Sequence, residues 1–309
     1  MTEPLVSVIC ITYNHENFIS NCLDGFLMQE TDFSFEILIH DDASTDKTAS
    51  IIKSYEKKYP GKIYAIYQNE NQFSKGINPG TLLYPRAKGK YIATCEGDDY
   101  WTDPLKLQKQ VDFLEANAEY SFCFHDTIIL KQETGEKGKR IGSRKIDESV
   151  DLKSVIIENN FPTASLVFRN IIDWKNIPEW VMKTAKGDYA LVVRLSEKGL
   201  GKYLSEPMSV YRVHSGGVWS GRQDNEYYTD QDVNFYESLF ENFNDSEVRK
   251  AIRFKLNKSY QNKGIYQLRK GKLISGIFNI LTHWNFTNDR RLKTPVRKIL
   301  GAVKTGLTK

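Results

Sequence analysis

The sequence predicts an α/β fold in which a mixed, mostly parallel sheet is flanked by helices and followed by a helical C-terminal extension. In the first hundred of the 309 residues, short apolar runs alternate with segments of helical periodicity, which is typical of βαβ units. The first run, residues 5–12, is rich in β-branched residues and nearly all apolar, as expected of a strand buried on both faces. Beyond about Asn225 the chain has helical character and becomes increasingly basic.

The first hundred residues are predicted to contain four strands and two helices. Apolar residues at positions 18, 19, 22, 23, 26 and 27 recur every three or four residues and define one helical face. A second helix is predicted over residues 46–58. The strands are predicted at residues 5–12, 35–40, 63–68 and 91–96. Because ligands bind beyond the carboxyl ends of parallel strands, the residues that follow these strands are the first candidates for a site.

The second part of the chain has a different pattern. Asp103 is predicted to cap a helix with Pro104 at its first position, and Leu107, Val111 and Leu114 lie on its apolar face. A strand is predicted at residues 121–130, a solvated hairpin or loop at 131–148, and short helices and strands over 151–213. A domain boundary is expected near residue 222, so that the chain consists of residues 1–222 and a basic helical region, 223–309.

The net charge of +4 conceals an uneven distribution along the chain. Residues 250–309 contain 15 Lys or Arg and one acidic residue, a net charge of +14, which leaves −10 for residues 1–249. The four cysteines form no disulfide or zinc-binding pattern and are interpreted as reduced packing residues of a cytosolic protein. No apolar run approaches the roughly 18 residues of a membrane-spanning helix, and no secretion signal is expected.

Acidic residues follow two of the predicted strands. Asp41 and Asp42 follow the second strand, and Glu96, Asp98 and Asp99 follow the fourth. Such a concentration of carboxylates favours a bound divalent cation, and hard oxygen ligands indicate Mg²⁺ or Mn²⁺ rather than zinc. Aspartates are also common in turns and helix caps, and for Asp41 and Asp42 the residue pattern leaves both interpretations open.

Three segments resemble family 2 glycosyltransferases of the GT-A fold. They are residues 6–14, VSVICITYN, residues 36–48, EILIHDDASTDKT, and residues 87–104, AKGKYIATCEGDDYWTDP. The resemblance covers about residues 4–220. It implies a Rossmann-like catalytic domain with a nucleotide-sugar half over about residues 1–103 and an acceptor half over about 104–222.

The resemblance also implies a nucleotide site. Asp41 would receive the edge of uracil, since a carboxylate accepts a hydrogen bond from an N–H of the base, and Asp42 would lie beside the ribose. Glu96, Gly97 and Asp98 occupy the family's Asp-x-Asp position, which binds the metal and the sugar nucleotide. The implied nucleotide-binding residues are Thr12, Tyr13, Asn14, Asp41, Asp42, Asn71, Glu96 and Gly97.

The metal and the catalytic base follow from the same resemblance. Glu96 stands where the family motif has Asp, and its side chain is longer by one methylene group. Asp98 and its neighbour Asp99 are therefore the expected ligands of Mn²⁺ or Mg²⁺. His214, in a late family motif, is expected to ligate the metal or donate to phosphate. Asp188 matches the position of the catalytic base, which accepts the proton of the acceptor hydroxyl. Without the resemblance, Asp188 would be interpreted as the N-cap of the helix that follows it.

Three further side chains are expected to contact the diphosphate or the acceptor. Arg212 precedes His214 by two residues and is expected to donate to phosphate. Trp101 and Trp219 are expected to stack on sugar rings, because aromatic faces suit the C–H surfaces of sugars. Packing within the protein is the alternative interpretation for both tryptophans.

The basic C-terminal region has two interpretations. An amphipathic, basic segment can lie on an anionic membrane surface, which suits an enzyme whose acceptor is a lipid-linked glycan. Alternatively, most of it packs its apolar side on the catalytic domain, and residues 293–309 are the better membrane candidate. A nucleic-acid role is not expected, because the acidic body would repel phosphate and no nucleic-acid-binding fold is recognised.

Taken with the resemblance, these features imply an inverting, metal-dependent transfer of a sugar to a glycan hydroxyl. The expected donor is a UDP-sugar, and the expected process is the synthesis of a bacterial surface polysaccharide or glycoconjugate. A non-catalytic sugar-nucleotide-binding protein is the main alternative. An Asp-dependent phosphohydrolase is a further one, but it would leave Asp41 and the segment 12–14 without a role. The expected location is cytoplasmic, with peripheral contact to the inner face of the cell membrane.

Overall fold

The computed structural model describes residues 3–141, 148–158, 160–184, 186–217 and 226–282. The chain divides into two compact units, Met1–His214 and Ser215–Lys309, and each is described here by itself. The expected boundary near residue 222, the side chain of Trp219 and the segment 293–309 lie outside the described residues.

The first unit is built on one sheet. Its strands are β1 (Val6–Thr12), β2 (Phe35–Asp41), β3 (Ile63–Tyr67), β4 (Tyr91–Thr94), β5 (Tyr100–Trp101), β6 (Tyr120–Lys131), β7 (Glu136–Ile141), β8 (Ser149–Val150), β9 (Val167–Arg169) and β10 (Leu200–Val213). Its helices are α1 (Ile19–Leu27), α2 (Thr48–Lys58), α3 (Gly80–Leu83), α4 (Lys106–Ala116), α5 (Leu152–Ile157), α6 (Glu179–Lys183) and α7 (Gly187–Ser196). The predicted alternation of strand and helix in the first hundred residues is confirmed.

The first four strands form the parallel part of the sheet, in the order β3-β2-β1-β4. Every residue of β2 is buried, as are all residues of β1 except Ile11. Burial of both faces explains why these segments are continuous apolar runs instead of alternating ones. Because the strands are parallel, the residues that follow β1, β2 and β4 emerge at the same edge of the sheet.

The rest of the sheet is mixed. β9 runs antiparallel to both β4 and β6, whereas β6 and β10 are parallel to each other. The two-residue strand β5 pairs with β10, where Tyr100 is opposite Val210 and Trp101 is opposite Ser209. This pairing brings the C-terminal part of β10 next to the segment that follows β4. The α/β fold with a mixed sheet is therefore confirmed.

Two local predictions are refined by the structure. The polar segment after β6 turns back as β7, which pairs with β6, so its described part is a hairpin. Helix α4 begins at Lys106, two residues later than predicted, because the Asp103 carboxylate accepts a hydrogen bond from the N–H of Leu105 at 2.8 Å and closes a turn before the helix. The four cysteines are free and buried, in agreement with a packing role.

The described part of the second unit consists mainly of helices joined by short turns. It contains α8 (Glu226–Asn242), α9 (Ser246–Arg269) and α10 (Leu273–Thr282). Helix α9 is capped by Asp245, whose carboxylate accepts hydrogen bonds from the N–H groups of Glu247 and Val248. Among the described residues, no helix is long and apolar enough to cross a membrane.

Candidate active site

The loop after β1 is tied to the loop after β2 through Asn14. The backbone of Asn14 is left-handed (φ 54°), a conformation that asparagine tolerates better than most residues. Its N–H donates to Oγ of Ser44 at 2.9 Å, and its side-chain oxygen accepts from the N–H of Thr45 at 2.8 Å. Tyr13, the residue before it, is exposed. Asn14 therefore fixes the shape of the two loops, and Tyr13 is available to a ligand.

Asp42 and Asn71 support the loop after β3. The two carboxylate oxygens of Asp42 accept hydrogen bonds from the N–H groups of Gln72 (2.8 Å) and Phe73 (3.0 Å). Asn71 donates from its amide to the backbone oxygen of Asp42 at 3.1 Å, and its own side-chain oxygen accepts from Ser74. The expected ribose contact of Asp42 is therefore corrected: this carboxylate is buried and accepts hydrogen bonds from the loop after β3.

Because Asp42 is engaged in hydrogen bonds to the protein, Asp41, the last residue of β2, is the carboxylate that remains available to a nucleobase. It is buried, and one carboxylate oxygen lies 3.3 Å from the donating N–H of Ser44. Burial raises the pKa of Asp41, and the hydrogen bonds from Ser44 oppose that rise. Its backbone pairs with Thr12 of β1, so the predicted nucleotide residues Thr12 and Asp41 are direct neighbours in the sheet.

Gly97 allows the turn after β4 to pass against the loop after β1. A Cβ atom at this position would lie 2.5 Å from Oγ1 of Thr12 and 3.1 Å from Nδ1 of His15. The N–H of Gly97 donates to the backbone oxygen of Ile11 at 2.9 Å. Only a residue without a side chain fits here, and the close contact places Asp98 beside His15.

His15, Asp98 and His214 form a cluster of three potential metal ligands. One nitrogen or oxygen atom from each lies within 4.8 Å of the others. Oδ2 of Asp98 lies 3.1 Å from Nε2 of His214 and 3.7 Å from Nε2 of His15. The other ring nitrogen of His15, Nδ1, lies 3.1 Å from Oγ1 of Thr12. The predicted residues Asp98 and His214 are thus brought together, and they are joined by His15, which no sequence pattern singled out.

The electrostatics of this cluster suit metal binding. Burial lowers the pKa of His15, and the charge of Asp98 only partly offsets this effect, so the imidazole has a free lone pair near neutral pH. Burial by itself would raise the pKa of Asp98, but the hydrogen bond with His214 and the charge of His15 outweigh it and lower this pKa. An ionised carboxylate and a neutral imidazole are both ready to accept a cation.

Asp99 does not join the cluster. Its Oδ1 accepts a hydrogen bond from the backbone N–H of Arg212 at 2.8 Å, and the side chain is buried. Burial and the charges of Asp98 and Glu96 raise the pKa of Asp99 well above its usual range. The predicted role of Asp99 as a metal ligand is therefore corrected: this carboxyl group holds β10 in place behind the cluster.

Glu96 and Asp188 share a second part of the site. Burial, followed by the charges of Asp98 and Asp188, raises the pKa of Glu96 to about 8. Tyr84, a residue that the sequence analysis did not single out, lies near Glu96 and Asp188. Burial and the charges of these two carboxylates raise the pKa of Tyr84. Asp188 lies in the first turn of α7. The N-cap position of this helix is occupied by Lys186, whose side chain makes no capping hydrogen bond. Asp188 is therefore not the N-cap of this helix.

Arg212 is held over two aromatic rings. Its guanidinium carbon lies 4.5 Å from the centroid of Tyr100 and 5.2 Å from that of Phe18, and Nη1 donates to Gln132 at 3.0 Å. The ring of Phe18 also packs against His214, with centroids 4.6 Å apart. Nε of Arg212 is buried without a hydrogen-bond partner among the described residues. A cation thus lies beside the metal-ligand cluster.

Trp101 is a core residue, and its predicted stacking on a sugar is wrong. Its side chain is 1% exposed and lies in the main hydrophobic cluster of the first unit. Its indole N–H donates to the backbone oxygen of Ala164 at 2.9 Å, and its ring packs edge-on against Phe26. No face of the ring is open to a ligand. The corresponding prediction for Trp219 falls outside the described residues.

Comparison with known proteins identifies the family. A model described as Glycosyl transferase family 2 matches residues 7–173, more than half of the chain. The chain belongs to glycosyl transferase family 2. The predicted resemblance is therefore confirmed, and the matched range contains β2, β4 and all of β1 except Val6, with the three loops that follow these strands.

Curated relatives of this glycosyl transferase family 2 member include one with a stated activity. The uncharacterized protein Mb1547 of Mycobacterium bovis is 38% identical over 215 residues, which are 69% of this chain and 60% of that protein. The UDP-Glc:alpha-D-GlcNAc-diphosphoundecaprenol beta-1,3-glucosyltransferase WfaP of Escherichia coli is 30% identical, over 69% of this chain and 79% of WfaP. The match thus spans about three fifths of the mycobacterial relative and about four fifths of WfaP.

Solved structures show the same fold. Residues 1–349 of S. aureus TarS in complex with UDP-GlcNAc align with a TM-score of 0.65 at 15% identity, covering 97% of this chain and 90% of TarS. At this identity the similarity establishes the architecture of the family 2 member, a GT-A-type sheet with helices following it.

Proposed function

We propose that this family 2 protein is an inverting glycosyltransferase that moves a sugar from a nucleotide diphosphate to a glycan hydroxyl with the help of a divalent metal. The observation that carries the proposal is the meeting of His15, Asp98 and His214 at the carboxyl edge of the parallel strands. Ligands bind at this edge in sheets of this kind. Three distant parts of the chain supply the cluster, which is typical of a binding site.

The cluster fits a metal ion, although with a different ligand set from the one expected. Two imidazole nitrogens and one carboxylate oxygen converge, whereas the sequence indicated oxygen ligands alone. His15, Asp98 and His214 would hold the ion, which when bound would offset the charge that develops on the leaving diphosphate. Imidazole ligands favour a transition metal over Mg²⁺, so of the two expected ions we propose Mn²⁺.

Asp188 is proposed as the general base. Asp188 shares this part of the site with Glu96 and is assigned to accept the proton of the acceptor hydroxyl. One base and one in-line displacement invert the configuration at the anomeric carbon.

A UDP-sugar is the proposed donor. Asp41 lies at the end of β2 beside Thr12, with a carboxylate that can accept the N–H of uracil. Tyr13 is exposed next to these residues, and Arg212 places a cation beside the metal-ligand cluster, where a diphosphate would lie. The TarS structure, which shares the fold, was solved with UDP-GlcNAc.

A lipid-linked glycan is the proposed acceptor. The name of WfaP specifies a sugar carried on diphosphoundecaprenol, and the aligned region covers 79% of that enzyme. By this analogy the reaction belongs to the synthesis of a bacterial surface polysaccharide or glycoconjugate. The sugar that is transferred and the linkage formed are to be identified by experiment.

The proposal is tested by donor turnover and by metal binding. The purified chain is incubated with a panel of UDP- and GDP-sugars, with Mn²⁺, Mg²⁺ or EDTA, and release of the nucleotide is followed. We expect UDP release from one UDP-sugar that depends on Mn²⁺ and increases with a lipid-linked glycan. Binding of the nucleotide without turnover would favour the binding-protein alternative, and phosphate release from phosphomonoesters would favour a hydrolase.

The metal site is tested separately by titrating Mn²⁺ and recording the electron paramagnetic resonance signal of the free ion. His15→Ala and Asp98→Asn are each expected to weaken Mn²⁺ binding by about tenfold or more. Asp173→Asn is the matched control, because Asp173 is a surface carboxylate whose hydrogen bonds to described residues, Lys175 and Asn176, lie within its own turn. Wild-type Mn²⁺ affinity in His15→Ala would remove His15 from the site.

A further inference from the structure

Helix α10 of the second unit carries an exposed apolar stripe. Ile274 is 87% exposed and Phe278 is 64% exposed, and they are joined by Leu273, Ile277 and Leu281, which are also exposed. At 100° per residue these five side chains span about 140° of the helix circumference. The helix contains no charged residue. An apolar stripe of this width would normally be covered.

The stripe is distinct from the side of α10 that packs within the unit. Gly276 meets Gly264 of α9 so closely that a Cβ atom on Gly264 would lie 2.7 Å from the backbone oxygen of Gly276. Ile280 is buried in a small cluster with Leu268 of α9. The contact with α9 therefore uses one side of α10, and no residue in the described part of the chain covers the stripe formed around Ile274 and Phe278.

The charge around α10 indicates what covers the stripe. Lys270 and Lys272 lie immediately before the helix, and the described residues 250–282 carry eight Lys or Arg and no acidic residue. Lys272 is half exposed and pairs with Glu226 of α8. An apolar stripe next to a strongly cationic sequence complements a surface that is apolar inside and anionic outside.

We propose that α10 docks on an anionic lipid bilayer, lying in its interface with the stripe toward the acyl chains. The bilayer is favoured over a second copy of the chain, because a copy would bring the same positive charge to the contact and like charges oppose association. The proposal differs from the expectation for the basic tail, which named residues 293–309 as the membrane element. It does not depend on the proposed function, since it rests on the second unit alone.

Docking is tested by sedimentation of the full chain with vesicles. Vesicles of equal parts phosphatidylglycerol and phosphatidylcholine are compared with vesicles of phosphatidylcholine alone. The wild-type chain is expected to sediment with the anionic vesicles and to be released by high salt. The affinity of the double variant Ile274→Ser with Phe278→Ser for the anionic vesicles is expected to be lower than that of the wild type by about tenfold or more.

The control for this experiment removes exposed apolar side chains elsewhere. Ile157 and Ile171 are exposed in the first unit, and Ile157→Ser with Ile171→Ser is expected to bind vesicles like the wild type. Circular dichroism establishes that both double variants are folded. Equal vesicle binding by the wild type and the α10 variant would overturn the proposal. So would a wild-type dimer in solution that the α10 variant loses, without vesicle binding.

Discussion

Nε2 of His214 lies 3.1 Å from Oδ2 of Asp98, although 116 residues separate them in the chain. The contact exists because β10 pairs with β5, which follows Asp98 by two residues, so that the end of β10 returns to the turn after β4. His15 reaches the same carboxylate from the loop after β1. The metal-ligand cluster therefore depends on the sheet pairing as much as on the three side chains, and its geometry can be tested at positions that are not ligands.

Gly97→Ala is expected to disturb the cluster without removing a ligand. The new Cβ atom would lie 2.5 Å from Oγ1 of Thr12 and would push the turn away from His15. We expect Mn²⁺ affinity and donor turnover to fall by about tenfold or more, since misplacement by about 1 Å is costly at a catalytic site. Gly138→Ala, at an open position of β7, is the control and is expected to behave as the wild type. Unchanged Mn²⁺ affinity in Gly97→Ala would contradict this account.

Asp188→Asn is expected to abolish transfer and to preserve donor binding. The amide cannot accept the proton of the acceptor hydroxyl, and loss of a general base typically costs about 10²–10⁴-fold in rate. The dissociation constant for UDP, measured by calorimetry with Mn²⁺ present, is expected to stay within about twofold of the wild type. Glu197→Gln, at the other end of α7, is the control. Near-normal turnover of Asp188→Asn with a verified acceptor would remove Asp188 from the role of base.

Substitution of Asp42 is expected to lower the free energy of unfolding. In Asp42→Ala the N–H groups of Gln72 and Phe73 lose their charged acceptor, which should lower the free energy of unfolding by about 2 kcal/mol. Asp42→Asn keeps one acceptor oxygen and is expected to lose less. Urea unfolding gives both values. If Asp42 instead contacted the ribose, Asp42→Asn would weaken UDP binding and leave the unfolding free energy unchanged.

Lys106 is expected to make the free energy of unfolding depend on pH in the alkaline range. Its side chain is fully buried over the ring of Trp101, and burial lowers its pKa from 10.5 to about 7. Between these two values the unfolded chain binds more protons than the folded chain. The unfolding free energy should therefore rise with pH, by up to about 1.4 kcal/mol per pH unit, from about pH 7 to about pH 10.5.

Lys106→Met is expected to remove that slope and to stabilise the protein, most strongly at and below pH 7, where the wild-type penalty is complete. Urea unfolding of both proteins at several pH values measures the difference. The control is Lys109→Met, in the same helix, because Lys109 is partly exposed and pairs with Asp103. A slope in Lys106→Met equal to that of the wild type would show that Lys106 is not its source.

The parallel strands and their helices could be predicted because each is long enough to show its periodicity. β1 and β2 are seven residues each and almost entirely buried, and α1 repeats its apolar positions over nine residues. β5 has two residues and β9 three, too few for any pattern, so the antiparallel pairings that complete the sheet could not be predicted. The shorter of the two, β5, is also the strand whose pairing brings β10 to the site.

The candidate site was predictable where a side chain follows a strand. Asp41 and Asp98 lie at the carboxyl edge for that reason, and the family resemblance added His214. His15 has no partner at a recognisable spacing, and only the close approach at Gly97 brings it to Asp98. Asp99 was misassigned because adjacent acids look alike in sequence, whereas their burial and partners differ in the folded chain.

The late position of β10 has a consequence for biosynthesis. During translation the strands β1, β2 and β4 emerge early and can pair with one another while the chain is still on the ribosome. His214 emerges after all ten strands of the sheet and belongs to a pairing of high sequence separation, which forms slowly. A nascent chain that stops before residue 214 therefore lacks one of the three clustered ligands, and the metal is expected to be acquired only when synthesis of the first unit is complete.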